Sequence, residues 1–195
     1  MHIGVMIFDT DYSMPVNELA IALEERSFES LFVPEHTHIP ASRESAWPGG
    51  ANLPKDYWHT FDPFVSLSFA AAATKNLKVG TGICLLPQRD TIVAAKLVAS
   101  LDRMSEGRFL FVIGGGWNKE EMGHHGVAYT ERFARMEEQV AAMKGLWQEE
   151  EFGYQGDYVK FTPSWAHPKP VQTPHPPILL GGETDYTLRR VVNYC

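Results

Sequence analysis

Cysteine is nearly absent from this sequence: the 195 residues contain two, Cys84 and Cys195. Two thiols cannot build a disulfide framework, so a reducing, cytoplasmic setting is expected. Positive charge is in deficit, with 17 Lys and Arg against 24 Asp and Glu and a formal net charge of −7. Nucleic acids and anionic membrane surfaces both require a basic face, so neither is expected as a partner. Long apolar runs are missing as well. No stretch approaches the roughly 18 residues of a membrane helix, and the opening Met1-His2-Ile3-Gly4 has no basic, signal-like segment. There is no internal repeat and no low-complexity tract. What remains is an acidic globular chain, 44% hydrophobic, whose length suits a single domain over 1–195.

Hydrophobic periodicity then divides the chain. Residues 2–8 read as a short buried strand. Val16, Leu19, Ala20 and Leu23 fall on one face of a helix, with Glu24, Glu25 and Arg26 outside. Ser30 to Val33 reads as a second strand, stopped by Pro34. Residues 35–61 are irregular, which in a compact domain usually marks a functional loop. Asp62-Pro63 has the form of an N-cap followed by proline at the first helical position, opening a helix to about Lys75. A third strand spans Leu77 to Leu86. Asp90 caps the next helix, with Ala94, Leu97, Val98 and Leu101 on one face and Gly107 just past its end. Phe109 to Ile113 is a continuous apolar run, expected to be buried on both faces. A longer helix begins near Thr130, with Phe133, Met136, Val140, Met143 and Trp147 facing in. Residues 152–161 carry a hairpin signal around Gln155-Gly156-Asp157. Ile178 to Leu180 forms the last strand, and Thr184 caps a helix whose Leu188, Val191 and Val192 are expected to face the core.

Strands alternating with helices imply a parallel α/β fold, either a barrel or a doubly wound sheet. In both, chemistry sits at the C-terminal ends of the strands. The residues to weigh are therefore Phe8-Asp9, Glu35-His36, Leu85 to Gln88, Gly114 to Asn118 and Gly181 to Thr184.

Glu35-His36-Thr37-His38 admits three readings: proton transfer or cofactor contact by His36, a metal pair formed by His36 and His38, or a polar strand end. Elsewhere no Cys or carboxylate cluster has metal-ligand spacing, and His124-His125 reads as surface. Gly114-Gly115-Gly116 either lets a ligand approach the backbone or makes a turn that needs positive φ. It is not the G-x-G-x-x-G dinucleotide fingerprint. Asn118 with Glu121 has the form of an N-cap and its reciprocal partner. Gly181-Gly182-Glu183-Thr184 joins a strand to a helix N-terminus, which suits a phosphate group or a plain two-glycine turn. Gly80 and Gly82 inside a central strand hint at a ligand pressed on the sheet. Cys84 reads as a core residue, since no base partners it.

Four segments together resemble the luciferase-like monooxygenase superfamily: Ser30-Leu31-Phe32-Val33-Pro34-Glu35-His36, the long run Val79 to Arg108, Ile113 to Met122, and Pro176 to Gly182. The resemblance runs through nearly the whole chain. It implies a parallel (β/α)8 TIM-type barrel, of which about five of eight strands are present, with the remaining strands expected beyond Cys195. It implies a flavin- or coenzyme F420-dependent oxidoreductase or monooxygenase acting on a small organic substrate, with FMN or coenzyme F420 at the barrel mouth. Glu35 and His36 would lie by the cofactor ring as the catalytic pair. A non-proline cis peptide is expected at Gly82-Ile83, behind the ring. Gly115 and Gly116 would border it. The backbone of Gly181 and Gly182, before Thr184, would hold the phosphate. Tyr57, Trp47 and Trp58 of the long loop would wall the substrate pocket, and family members are often homodimers. Two positions depart from the pattern. Trp117 stands where sugar-phosphate dehydrogenases of the superfamily carry a catalytic carboxylate, and Ser27 stands where relatives place a helix-ending glycine. Rivals to this reading are a flavin binder without turnover, an inactive fragment, and a metal-dependent barrel hydrolase using His36 and His38.

Overall fold

A computed structural model describes residues 2–195. Its core is a five-stranded parallel sheet in the order β1 (Gly4–Met6), β2 (Ser30–Val33), β3 (Lys78–Thr81), β4 (Phe109–Ile113), β7 (Ile178–Leu180). β5 (Phe152–Gln155) and β6 (Lys160–Ser164) form a separate antiparallel hairpin. Neighbouring sheet strands are joined through helices: α1 (Val16–Glu25), α2 (Asp56–His59) with α3 (Pro63–Ala73), α4 (Thr91–Met104), and α5 (Lys119–His124) with α6 (Arg132–Gln148). α7 (Asp185–Tyr194) follows the last strand. Five parallel strands in chain order form part of a (β/α)8 barrel, as expected, and all their C-terminal ends lie on one rim.

Caps start the helices where the sequence signals them. Asp62 Oδ1 accepts from the N–H of Phe64 at 2.9 Å, with Pro63 at the first position of α3. Asp90 Oδ1 accepts from Val93 at 2.9 Å. The helices bury their apolar stripes on the sheet, and Trp147 Nε1 ties α6 to the Ala95 carbonyl of α4 at 3.0 Å. Ser27 sits at φ 59, the left-handed conformation that makes a glycine usual there.

Four expectations are corrected. The strand read to Leu86 ends at Thr81. There the Thr81 hydroxyl replaces a ladder rung, donating to the Val112 carbonyl at 2.6 Å and accepting its N–H at 3.0 Å. The chain bulges at Gly82 and Ile83, whose peptide bond is cis as expected, and rejoins β4 where the Cys84 N–H reaches the Val112 carbonyl at 2.8 Å. β4 is not buried on both faces: Phe109, Phe111 and Ile113 point to the helices and are fully buried, while Leu110 and Val112 on the other face are only partly covered. β1 is likewise only half-buried, because β2 is its one neighbour among the described residues. In α7, Leu188 and Val192 are 64% and 84% exposed, and Val191 is exposed too; Thr187 and Tyr194 are the buried residues. The helix packs on β7 along a narrower stripe than its apolar content suggests.

Candidate functional site

The bulge after β3 pushes Gly82 and Ile83 towards a 190 Å³ cavity on the C-terminal rim. Met6, Phe8, Pro34, Glu35, His36, Tyr57, Leu85, Gly116 and Trp117 complete its lining. The wall is mostly apolar, with few polar groups, the composition of a site for an aromatic ligand. Aromatic rings crowd one side: Tyr57 lies 5.2 Å from His36 and 4.7 Å from Phe8 between centroids, and Trp117 lies 5.8 Å from His36. Of the three wall residues expected from the loop, only Tyr57 lines the cavity; Trp47 packs behind it at 5.7 Å, and half-exposed Trp58 lies off the lining.

His36 is the polar group aimed at this space. Its Nδ1 is 2.8 Å from Glu121 Oε2, and both side chains are buried. The second Glu121 oxygen accepts the Thr37 N–H at 3.3 Å. A carboxylate on Nδ1 fixes that nitrogen as the N–H donor and leaves Nε2 as the basic nitrogen for a ligand. The capping expectation for Asn118 is met, its Oδ1 accepting the Glu121 N–H at 3.0 Å. The Glu121 carboxylate, however, does not return to Asn118. It reaches a loop 85 residues earlier, a pairing no local pattern reveals.

Glu35 is held differently. Its Oε2 accepts the Leu85 N–H at 2.7 Å, and its Oε1 accepts from Arg89 Nε at 2.7 Å and Nη2 at 2.6 Å. Arg89 also bonds the Asp62 carboxylate at 2.6 Å, joining the ends of β2 and β3 to the cap of α3. Burial, the largest single influence, works to lower the Arg89 pKa, but the charge of Glu35 and the hydrogen bonds to Glu35 and Asp62, with a further contribution from Cys84, together outweigh it and the net direction is up. Burial first, then the charge of Glu35, pushes the Cys84 thiol well above its ordinary value, so it remains an unreactive core thiol.

The glycines have identifiable tenants. A Cβ on Gly114 would collide with Ile83 Cδ1, and one on Gly181 would sit 3.0 Å from Ile83 Cγ2. These two glycines therefore make room for the bulged residue. At Gly115 the space belongs to Phe133, 2.8 Å away, and Gly116 at φ +74 needs to be glycine for its backbone alone. Gly82 abuts Phe32 and Met6. The N–H of Gly181 continues the ladder to the Ile113 carbonyl at 3.0 Å, so the part of the phosphate expectation assigned to that N–H moves to Gly182 and the residues after it. Thr184 Oγ1 caps α7, accepting from Thr187 N at 3.2 Å.

His36 and His38 do not converge. His38 Nε2 lies 2.8 Å from His124 Nδ1, while Thr37 Oγ1 lies 2.8 Å from His125 Nε2. The exposed pair His124-His125 thus latches the loop to α5. Burial, with added charge from the neighbouring histidines, lowers the His38 pKa. Among the described residues no group of three or more His, Cys, Asp or Glu is arranged to hold a metal, and no helix is long and apolar enough to cross a membrane.

Residues 11–195 match the family model for luciferase-like monooxygenases. An uncharacterized protein of Mycobacterium tuberculosis is 44% identical over 184 residues, covering 93% of this chain and 65% of its own length. This chain therefore spans just under two thirds of that relative. The FMNH2-dependent dimethylsulfone monooxygenase of Pseudomonas putida is 37% identical over 62% of this chain and 34% of its own. Among solved structures, the monooxygenase RslO1 of Streptomyces bottropensis superposes with a TM-score of 0.77 at 27% identity, over 92% of this chain and 53% of that one. An F420-dependent secondary alcohol dehydrogenase superposes with a TM-score of 0.78 at 21% identity, over 99% of this chain and 56% of that one, a likeness of fold. The chain belongs to the luciferase-like monooxygenase family.

Proposed function

We propose that this chain provides the cofactor-holding rim of a flavin- or coenzyme F420-dependent oxidoreductase or monooxygenase for a small organic substrate. The observation that carries the reading is the cavity between His36 and the Gly82-Ile83 bulge, partly aromatic and mostly apolar, with one basic ring nitrogen. These residues fit a tricyclic ring: Ile83 would back it, Gly116 and Trp117 would border it, and His36 Nε2 would hydrogen-bond it or move a proton. Two similar proteins, the FMNH2-dependent dimethylsulfone monooxygenase and the monooxygenase RslO1, support the same class. When bound, the cofactor supplies hydride transfer or oxygen chemistry. The protein's part is to orient the ring and exclude water.

Glu121 fixes the tautomer and the angle of the His36 ring. Glu35, with both oxygens committed to Leu85 and Arg89, acts as a positioning residue for the strand end, a narrower role than the catalytic one its sequence position suggests. Gly115 contributes to the rim through its backbone. Gly182 and the start of α7 after Thr184 would face the phosphate. The test is titration of the chain with FMN and with coenzyme F420, followed by fluorescence, for wild type and His36→Ala. Micromolar binding that weakens about tenfold or more in the variant, the scale of one hydrogen bond to a buried ligand, is the expected result. Equal binding by both proteins would remove His36 from the site.

A further inference from the structure

The start of the long loop carries titratable rings that the cavity chemistry leaves unused. Four side chains there form one line of hydrogen bonds. His38 Nε2 lies 2.8 Å from His124 Nδ1, with the two ring planes 11° apart. On its other side His38 Nδ1 lies 2.9 Å from Thr37 Oγ1, which in turn lies 2.8 Å from His125 Nε2. His38 is half-buried, while Thr37, His124 and His125 are exposed, so the line is open to protons from solvent. It ties the two residues after His36 to the C-terminal end of α5.

Each contact in the line needs one hydrogen and one lone pair. Neutral His38 and Thr37 bring one hydrogen each, and a tautomer of His124 or His125 brings the third. One added proton is also accommodated, because a cationic His38 donates to both sides. Two protons on the facing pair are not. When His38 and His124 are both cationic, an N–H meets an N–H across the 2.8 Å contact and the two charges repel. The bond therefore stands while the pair holds at most one proton and is lost when it holds two.

The surroundings set the direction of this dependence. His36 from the loop, Glu121 and His124 from α5, and His125 just beyond it all act on His38. Burial is the largest influence and lowers its pKa; the charge of Glu121 opposes this, and the three histidines add to it. Glu121 gives His38 no direct bond, since its oxygens are taken by His36 Nδ1 and the Thr37 N–H. A lowered value in the closed form means that the closed loop holds fewer protons than the released one. Closure is thus favoured above the ordinary histidine pKa and lost as the pH falls through it. A second anchor behaves otherwise. Glu120 accepts the Ser45 N–H at 2.8 Å and the Ser45 hydroxyl, and the Lys119 N–H donates to Ser45 Oγ at 2.9 Å. The bond from the Ser45 hydroxyl, first among several, holds the Glu120 carboxyl below its ordinary value, so this anchor persists while histidines titrate. Release is confined to residues 37–44.

We propose that His38, Thr37, His124 and His125 form a proton-operated latch, which pins the start of the loop to α5 beside the ring cavity and releases it when His38 and His124 are both protonated. The latch rests on the proposed function only for what the loop closes over, and its test needs no cofactor.

The experiment follows backbone amide exchange by NMR in the whole 195-residue chain. Rates are taken at about pH 7.5 and about pH 5, either side of the range in which histidine titrates, and each is divided by the intrinsic rate at that pH. The Thr37 N–H, bonded to Glu121, reports the latch, and the Ser45 N–H reports the second anchor. The Phe111 N–H, bonded to the Pro177 carbonyl in the sheet, reports the fold. In wild type, Thr37 protection should fall about fivefold or more on acidification, the scale of one hydrogen bond, while Ser45 and Phe111 keep theirs. His124→Asn, whose side-chain amide meets His38 Nε2 without titrating, should keep Thr37 protected at both pH values. His124→Ala should leave it weakly protected at both. Three results overturn the proposal: wild-type Thr37 protection that does not change with pH, an equal fall in the Asn variant, or protection in the Ala variant as high as in wild type at the higher pH. Should His124→Ala fail to fold, the wild-type and Asn comparison decides by itself.

Discussion

The strand ends after β2 and after β7 share a rim but are built to different standards. After β2, the polar groups of Glu35, His36 and Thr37 that face inward are joined to Leu85, Arg89 and Glu121, three partners drawn from two other strand ends. After β7, one backbone bond from Gly181 and one threonine cap hold the turn, and the helix that follows leaves its apolar residues in the open. The difference suggests that the first region sets geometry in advance and the second supplies a surface. The bulged Ile83 joins them, seated between Gly114 of one neighbour and Gly181 of the other.

The sharpest way to break this contrast is Glu121→Ala. It leaves the buried His36 Nδ1 proton without its acceptor and removes the partner of the Thr37 N–H, and should cost about 3 kcal/mol or more in urea unfolding. A loss under about 1 kcal/mol would mean the pair is not buried as described. Next comes the joint itself. Gly114→Ala places a methyl on Ile83 and should destabilise by about 1–3 kcal/mol. Combining it with Ile83→Ala should recover part of that loss in a double-mutant cycle. On the β7 side the effects shrink. Thr184→Ala removes a cap and should cost about 1 kcal/mol, measured as a shift in the unfolding midpoint at constant slope. Val192→Lys, on the open face of α7, should change stability by no more than about 0.5 kcal/mol. A large loss there would show that the face is covered in solution.

Much of this was legible in the sequence because it is local. The alternation of strands and helices, the caps at Asp62, Asp90 and Thr184 and the hairpin at Gly156 all follow from short-range periodicity and turn chemistry, whereas the glycine-like turn at Ser27 is marked only by family resemblance. The cis bond at Gly82-Ile83 came from family resemblance, and nothing in its residue types alone would have named it. What escaped was long-range. Glu121 reads as an ordinary cap partner and Arg89 carries no local signal, because their roles depend on side chains 85 and 54 positions away. By sequence the glycines read either as openings for a ligand or as turns. Gly114, Gly115 and Gly181 also answer to Ile83 and Phe133, a packing demand visible only once the bulge is placed. α7 reads as carrying a buried stripe because its apolar residues repeat at helical spacing, yet spacing says which residues share a face and not whether anything covers it.

A crystal structure of the chain with FMN tests the central claim most directly. The account requires the isoalloxazine ring against Ile83, within hydrogen-bond reach of His36 Nε2, and its phosphate towards Gly182. A ring lodged elsewhere, such as the groove between Phe61, Val65 and Phe69 on the far side of α3, or a phosphate pointing away from β7, would contradict it.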